Sequence, residues 1–175
     1  MQLIIGDSFA FWAARRCTLG EAVRAEGWRG ACISSDGFRR WAVATVRRLE
    51  PAQVVLLVGS NDLAAPQFSI RLLVGYYEEL TMGMLAAGAG RVVVMPLPPR
   101  TRLRARDVSV AVYRRRRRLA NQVLRRQFSR TSANPVVTFG PFVFSVDFLG
   151  PDGVHPSAAG WQALAEALTS MARIV

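Results

Sequence analysis

A continuous apolar run at residues 54–58 is the sequence feature that most constrains the fold. The run contains only valine and leucine, so a strand built from it presents no polar side chain on either face. Runs of this kind are typical of strands that are covered on both faces, as in parallel sheets flanked by helices. Residues 54–58 therefore predict a buried central strand in an α/β protein.

The rest of the chain alternates short apolar strands with amphipathic helices. We predict further strands at residues 3–5, 31–33, 92–95 and 135–139. We predict helices from 11 to about 25, 38 to 49, 68 to 87, 108 to about 130 and 157 to about 173. This alternation predicts a three-layer α/β/α sandwich around a five-stranded parallel sheet. The expected strand order is the flavodoxin-like 2-1-3-4-5, and residues 1–175 are expected to form a single domain.

The composition is strongly basic, and arginine supplies all of the positive side-chain charge. The formal net charge is +11, and the chain has no lysine. A field of this sign attracts nucleic acid or anionic lipid. The densest basic group lies on a predicted helix, where it is either an ordinary solvated face or an anion-binding surface. Its members are Arg114, Arg115, Arg116, Arg117 and Arg118.

Several functional classes are disfavoured by what the sequence lacks. No apolar run approaches the length of a membrane span, and the N-terminus does not resemble a signal peptide. We therefore expect an intracellular protein. The two cysteines, Cys17 and Cys32, have no metal-binding spacing. The sequence implies no metal and no other cofactor, and it leaves the oligomeric state open.

Residues suited to catalysis follow the predicted strands. Ser8 follows the first strand, Gly37 the second, Asn61 the third, and Asp152 and His155 the fifth. Because the carboxyl ends of parallel strands meet at one edge of the sheet, we expect these residues to converge. A serine hydroxyl needs a base to become a strong nucleophile, and a histidine base needs an acid to orient it. The only histidine of the chain is therefore a candidate general base.

Arginines also follow the fourth predicted strand and could lie at the rim of the same site. There they would favour an anionic substrate. They are Arg100, Arg102, Arg104 and Arg106.

Three segments resemble the sequence blocks of the SGNH hydrolases, also called the GDSL esterase/lipase family. Residues 6–9 read Gly-Asp-Ser-Phe, with phenylalanine where the family usually has leucine. Residues 59–62 read Gly-Ser-Asn-Asp, and residues 152–155 read Asp-Gly-Val-His. The blocks occur in the family order and span almost the whole chain, which makes the combination far more specific than any one of them.

The resemblance implies a serine esterase or acylhydrolase that cleaves a short-acyl or lipid ester through an acyl-enzyme intermediate. It assigns Ser8 as the nucleophile, His155 as the base, and Asp152 as the acid that orients the histidine. The substrate and its acyl length are not specified by these motifs.

The resemblance also implies an oxyanion hole. Its donors would be the backbone N–H groups of Ser8 and Gly37 and the side chain of Asn61. A different alignment puts Ser35 in the place of Gly37, whereas Gly30 lies too early relative to the predicted second strand.

A narrower likeness concerns residues 37–41, 55–63 and 113–121. Their general residue pattern, rather than a defined motif, resembles that of SGNH-type domains encoded by animal retroelements. It keeps open an alternative function. The protein would then be an arginine-rich module that binds nucleic acid or an anionic membrane, with an accessory or residual esterase site.

Overall fold

The computed structural model describes residues 1–129 and 136–172. Its five strands form one parallel sheet in the order β2-β1-β3-β4-β5, which confirms the predicted strand order. The strands are β1 (Gln2–Gly6), β2 (Val23–Gly27), β3 (Gln53–Leu57), β4 (Val92–Val94) and β5 (Val137–Phe139).

Helices cover both faces of the sheet, as the sequence predicts. They are α1 (Ser8–Arg16), α2 (Asp36–Leu49), α3 (Ser60–Ala64), α4 (Ile70–Ala86), α5 (Val110–Gln127) and α6 (Ala158–Ala172). A short 3₁₀ turn covers Val146–Phe148. Helices α1 and α6 pack on one face, and α2, α4 and α5 pack on the other.

The two-sided burial of β3 explains the continuous apolar run. Val54 and Leu56 pack into the core under α2, α4 and α5, whereas Val55 and Leu57 pack under α1 and α6. All four side chains are at most 4% exposed. Since alternate side chains of a strand point to opposite faces, a polar residue at any of them would be buried in one apolar layer or the other.

The predicted second strand at 31–33 is wrong. The second strand is β2, Val23–Gly27, and it occupies sequence that we predicted to be the end of a helix from 11 to about 25. Helix α1 ends at Arg16 instead. β2 is an edge strand whose Arg24 and Glu26 side chains form an ion pair at 2.6 Å, so it carries no apolar run to reveal it.

The other predicted elements agree with the structure more closely. The bounds of α2, α4, β1, β3 and β4 differ from the predictions by one or two residues. The short helix α3 was not predicted. The predicted helix ends near Arg130 and Arg173, and the predicted strand start at Pro135, lie outside the described residues.

Within residues 1–129 and 136–172, no helix combines the length and the apolar character needed to cross a membrane. The intracellular location stays a prediction.

Candidate active site

Ser8 lies at the turn from β1 into α1, of which it is the first residue. The Asp7 carboxylate caps this helix, because its Oδ1 accepts a hydrogen bond from the N–H of Phe9 at 2.9 Å. The first N–H groups of a helix have no partner within the helix. The backbone N–H of Ser8 belongs to this group, so the local structure presents both a hydroxyl and an amide donor at the carboxyl edge of the sheet.

The structure brings Ser8, His155 and Asp152 into one hydrogen-bonded row. His155 Nε2 lies 3.0 Å from Ser8 Oγ, and His155 Nδ1 lies 2.7 Å from Asp152 Oδ2. The second oxygen of Asp152 accepts from the N–H groups of Val154 and His155, both at 2.9 Å. The carboxylate is thus held by the same loop that carries the histidine.

The electrostatics of this row favour an ionised Asp152. Partial burial acts to raise its pKa, but the hydrogen bonds from the His155 ring and from the N–H groups of Val154 and His155 outweigh it. The pKa of Asp152 is therefore lower than usual. An ionised carboxylate at this position favours the proton on Nδ1 and leaves Nε2 as the nitrogen that faces the Ser8 hydroxyl.

Asn61 reaches the same edge from α3. This helix follows Gly59, whose φ of +112° is a conformation that side chains strongly disfavour. Asn61 Nδ2 donates to the carbonyl of Ala31 at 2.9 Å, and Asn61 Oδ1 accepts from Arg100 Nη2 at 2.7 Å. Both ends of the amide are held, so its orientation is set.

Arg100 is part of a buried polar network beneath these residues. Its Nη2 also donates to Ser60 Oγ at 2.8 Å, and Ser60 Oγ donates to Asp7 Oδ2 at 3.4 Å. Arg100 is only 9% exposed. Burial raises the pKa of Asp7 to about 6, against the opposing effects of the Phe9 N–H, the Arg100 charge and the Ser60 hydroxyl. We predicted four arginines of this loop at the rim of the site. Arg100, Arg102 and Arg104 do line the cleft, with Arg100 buried under Asn61, whereas Arg106 does not line it.

A cleft of about 470 Å³ opens above Ser8 and His155, and Gly30 lines it. Gly37 does not; it lies in the first turn of α2. We selected Gly37 as the glycine that follows a strand at 31–33, but the strand ends at Gly27, so the next glycine is Gly30. Ser35 is also away from the cleft and acts as the N-cap of α2.

The arginine run on α5 is divided by the structure. Arg116 donates to the carbonyls of Leu63, Ala65 and Pro66 at 2.6–3.2 Å. Arg117 donates to the carbonyls of Leu97 and Phe144. The other three side chains are exposed and lie on the helix surface; they are Arg114, Arg115 and Arg118.

A larger cleft of about 780 Å³ lies between α1 and α6. It is lined by Cys17 and Trp161, among others, and contains none of the residues of the serine–histidine–aspartate row. We therefore assign the candidate active site to the smaller cleft. The part of the chain that the structure describes has no group of three or more His, Cys, Asp or Glu side chains placed to bind a metal ion.

The fold and this site together define a class of enzyme, the α/β serine hydrolases. The chain belongs to the GDSL-like lipase/acylhydrolase family, which it matches over residues 5–163. This result confirms the resemblance seen in the three sequence blocks. No curated protein matches the sequence of this chain.

Solved structures of esterases have a similar fold. The inhibitor-bound form of an aryl esterase from M. smegmatis is 16% identical, with a TM-score of 0.74 over 99% of this chain and 98% of that one. An acetylxylan esterase from Geobacillus stearothermophilus is 16% identical, with a TM-score of 0.62 over 98% and 93%. An acetyl esterase mutant with an acetate ion is 19% identical, with a TM-score of 0.65 over 98% and 95%.

Proposed function

We propose that this protein is a serine esterase in which Ser8 is the nucleophile, His155 the general base and Asp152 the orienting acid. The observation that carries the proposal is the continuous row of hydrogen bonds at 2.7 and 3.0 Å that joins these three side chains. Ser8 Oγ attacks the ester carbonyl carbon while His155 Nε2 takes its proton. His155 then protonates the departing alcohol, which leaves an acyl group on Ser8.

The second half of the reaction uses the same groups. His155 removes a proton from a water molecule, which attacks the acyl carbon, and the proton passes to Ser8 Oγ as the carboxylic acid leaves. The Asp152 carboxylate stabilises the imidazolium formed in each half. Its lowered pKa supports this role because the group stays charged at neutral pH.

We propose an oxyanion hole formed by the N–H of Ser8, the N–H of Gly30 and Nδ2 of Asn61. Gly30 replaces Gly37 because it lines the cleft, and its φ of +77° is one that glycine adopts without strain. Arg100 contributes indirectly. By donating to Oδ1 it keeps the nitrogen of the Asn61 amide on the side of Ala31. Preset donors of this kind stabilise the charge of the tetrahedral intermediate.

A short acyl group is our proposed substrate moiety. The cleft of about 470 Å³ lies at the small end of the range for ligand pockets. Two of the structurally similar proteins are described as acetyl or acetylxylan esterases, which agrees with a small acyl group. A lipid ester is the alternative, and a series of p-nitrophenyl esters of increasing chain length distinguishes the two.

Replacing the nucleophile tests the proposal. We expect Ser8→Ala and His155→Ala each to lower kcat on p-nitrophenyl acetate by at least about 10⁴-fold, because a serine–histidine pair acts as one unit. Ser129→Ala is the matched control, since Ser129 is exposed at the end of α5. Circular dichroism checks that the variants are folded. Hydrolysis that survives in Ser8→Ala would overturn the proposal.

An anion-binding module is a second candidate function, favoured by the three exposed arginines of α5. A variant with Arg114, Arg115 and Arg118 changed to glutamine removes this surface and leaves Arg116 and Arg117 in place. If α5 binds RNA or anionic vesicles, wild-type binding falls steeply with added salt and the variant binds more weakly. Unchanged binding by the variant excludes α5 as the contact surface. The likeness to retroelement-encoded domains stays a prediction.

A further inference from the structure

Three exposed arginines line the cleft beside the nucleophile. Arg29 comes from the loop after β2, and Arg102 and Arg104 come from the loop after β4. They differ from Arg100 because their side chains face solvent rather than the protein interior. A substrate bound with its ester carbonyl at Ser8 would therefore extend past these guanidinium groups.

These arginines lack carboxylate partners within the described residues. Arginines elsewhere on the surface form ion pairs, as Arg39 does with Glu79 at 3.1 Å and Arg40 with Asp36 at 3.1 Å. No carboxylate oxygen lies within 4.0 Å of a guanidinium nitrogen of Arg29, Arg102 or Arg104. Their charges are available to a ligand.

The two carboxylates of the cleft are already engaged. Asp152 accepts from His155, and Asp107 Oδ2 accepts from the backbone N–H of Arg104 at 3.0 Å. Counting every charged side chain that lines the cleft, four arginines face two aspartates. The cleft therefore has a net positive charge close to the reacting bond, where a bound anion is favoured.

Arg29 and the backbone of Arg102 also make contacts that restrict their positions. The Arg29 guanidinium lies 5.5 Å from the ring centre of Phe11 and 5.6 Å from that of Trp12, within the range of cation–π attraction. The backbone of Arg102 contacts the loop of His155 through a hydrogen bond to the carbonyl of Gly153 at 3.4 Å. A guanidinium that is held by neighbouring rings, as that of Arg29 is, binds carboxylate or phosphate at a lower entropic cost than a mobile one.

We infer that the substrate of this enzyme is an ester that carries an anionic group, a carboxylate, sulfonate or phosphate, which is bound by Arg29, Arg102 and Arg104. The inference rests on the proposed esterase function. The anionic group can belong to the acyl part or to the alcohol part of the ester, and in either case the recognition chemistry is the same charge-assisted hydrogen bonding.

Two matched pairs of substrates test whether the anionic group belongs to the alcohol part or to the acyl part of the ester. For the alcohol part, 3-acetoxybenzoate is compared with the neutral 3-acetoxybenzamide. For the acyl part, the p-nitrophenyl ester of 4-sulfobutanoate is compared with that of the neutral 4-sulfamoylbutanoate. The quantity measured is the ratio of kcat/KM for the anionic ester to kcat/KM for the neutral one. Dividing the wild-type ratio by the variant ratio cancels the intrinsic reactivity of each ester.

We expect at least one pair to favour the anion in the wild type, and the preference to shrink as salt is raised. Arg29→Gln, Arg102→Gln and Arg104→Gln should each lower that ratio by about fivefold, the upper end for an exposed charge pair. Arg106→Gln is the matched control because it removes the same charge from the same loop but does not line the cleft. Its ratio should equal that of the wild type.

The outcomes separate this inference from the proposed function. If the wild type hydrolyses neither p-nitrophenyl acetate nor any member of the two pairs, the esterase proposal fails. If it hydrolyses neutral esters through Ser8 but shows no anionic preference in either pair, the esterase proposal stands and the anionic-substrate inference is overturned. An anionic preference that Arg106→Gln lowers as much as the three cleft variants do would also overturn it, since the general charge of the protein would then be the cause.

Discussion

Arg100 holds two loops of the active site together through a single nitrogen. Nη2 donates to both Ser60 and Asn61 at the start of α3, while its own backbone belongs to the loop after β4. The same guanidinium opposes the rise in the pKa of the buried Asp7. One side chain thus acts on a proposed oxyanion donor and on the carboxylate that caps the helix of the proposed nucleophile.

The two candidate glycines of the oxyanion hole give opposite expectations. Gly37→Ala should leave kcat unchanged and stabilise the protein by about 0.5–1 kcal/mol, because Gly37 lies in a helix and its added methyl group would meet no atom closer than 3.8 Å. Gly30→Ala should lower kcat, because φ of +77° strains an alanine and shifts the proposed N–H donor. Steady-state kinetics and urea unfolding measure both. A large loss of kcat in Gly37→Ala alone would restore the original assignment.

The sequence predicts the position of some residues of the candidate site and not of others. Ser8, Asn61, Asp152 and His155 fall in motifs at strand ends, and the structure brings them to one cleft. Gly30, the proposed oxyanion donor, was not selected because the assignment depended on a wrongly predicted strand. The burial of Arg100 could not be predicted, since nothing in the local sequence distinguishes it from the exposed Arg102 two residues later. Burial of a loop arginine depends on how distant loops meet.

Among the elements, α3 is the one most dependent on its neighbours. It has only five residues, Ser60–Ala64, too few to be stable alone. The Arg116 guanidinium from α5 binds the carbonyls of Leu63, Ala65 and Pro66 at its C-terminal end. Helix carbonyls that lack partners within the helix favour a cation at this end. Helix α5 therefore stabilises the short helix that carries Asn61.

Removing the Arg116 contact should destabilise the protein, whereas removing the charge of the neighbouring Arg115 should not. We expect Arg116→Gln to lower the free energy of unfolding by about 1–2 kcal/mol, because it breaks hydrogen bonds from a charged group to three carbonyls. Arg115→Gln removes the same charge from the exposed surface and should stay within about 0.5 kcal/mol of the wild type. Urea unfolding measures both. Equal losses would mean that Arg116 is not a structural residue.

The elements were predicted well where burial is two-sided and poorly at the sheet edge. β4 is apolar throughout, and β3 is apolar from Val54 onward, because helices cover both of their faces. β2 pairs only with β1 and exposes Arg24. Its sequence therefore mixes polar and apolar residues, as the sequence of the preceding helix does. Ile33 has the opposite property: it is fully buried but lies in a loop, where its N–H donates to Asp62 at 2.9 Å. Apolar character therefore indicates that a segment is buried, and it indicates a strand only indirectly.

For the molecule as a whole, a buried carboxyl group links stability to pH. The pKa of Asp7 is about 6 in the folded protein, where burial raises it, against an ordinary value of 3.8. Between these values the folded state binds more protons than the unfolded state, so stability falls as pH rises. The difference between the two pKa values corresponds to about 3 kcal/mol, at about 1.4 kcal/mol for each pH unit. The free energy of unfolding falls by this amount between about pH 4 and pH 6.

Asp7→Asn should remove this pH dependence. Asparagine can still accept from the Phe9 N–H but does not ionise, so the variant should gain stability relative to the wild type as pH rises from 4 to 6. Above about pH 7 the difference should be constant. Urea unfolding of both proteins from pH 4 to pH 8 measures it. A difference that does not change with pH would contradict the burial of an ionisable Asp7.

The loop after β4 consists of two parts with different freedom to change. Its first part is tied down, by Arg100 under Asn61 and by the bond from the Thr101 N–H to Gly153 at 2.8 Å. Its second part, 103–107, is largely exposed and carries Arg104 and Asp107 at the mouth of the cleft. Insertions and substitutions are tolerated best in such exposed segments. Engineered variants can therefore exchange residues 103–107, and with them the charges at the mouth of the cleft, while Ser8, Asp152 and His155 keep their positions.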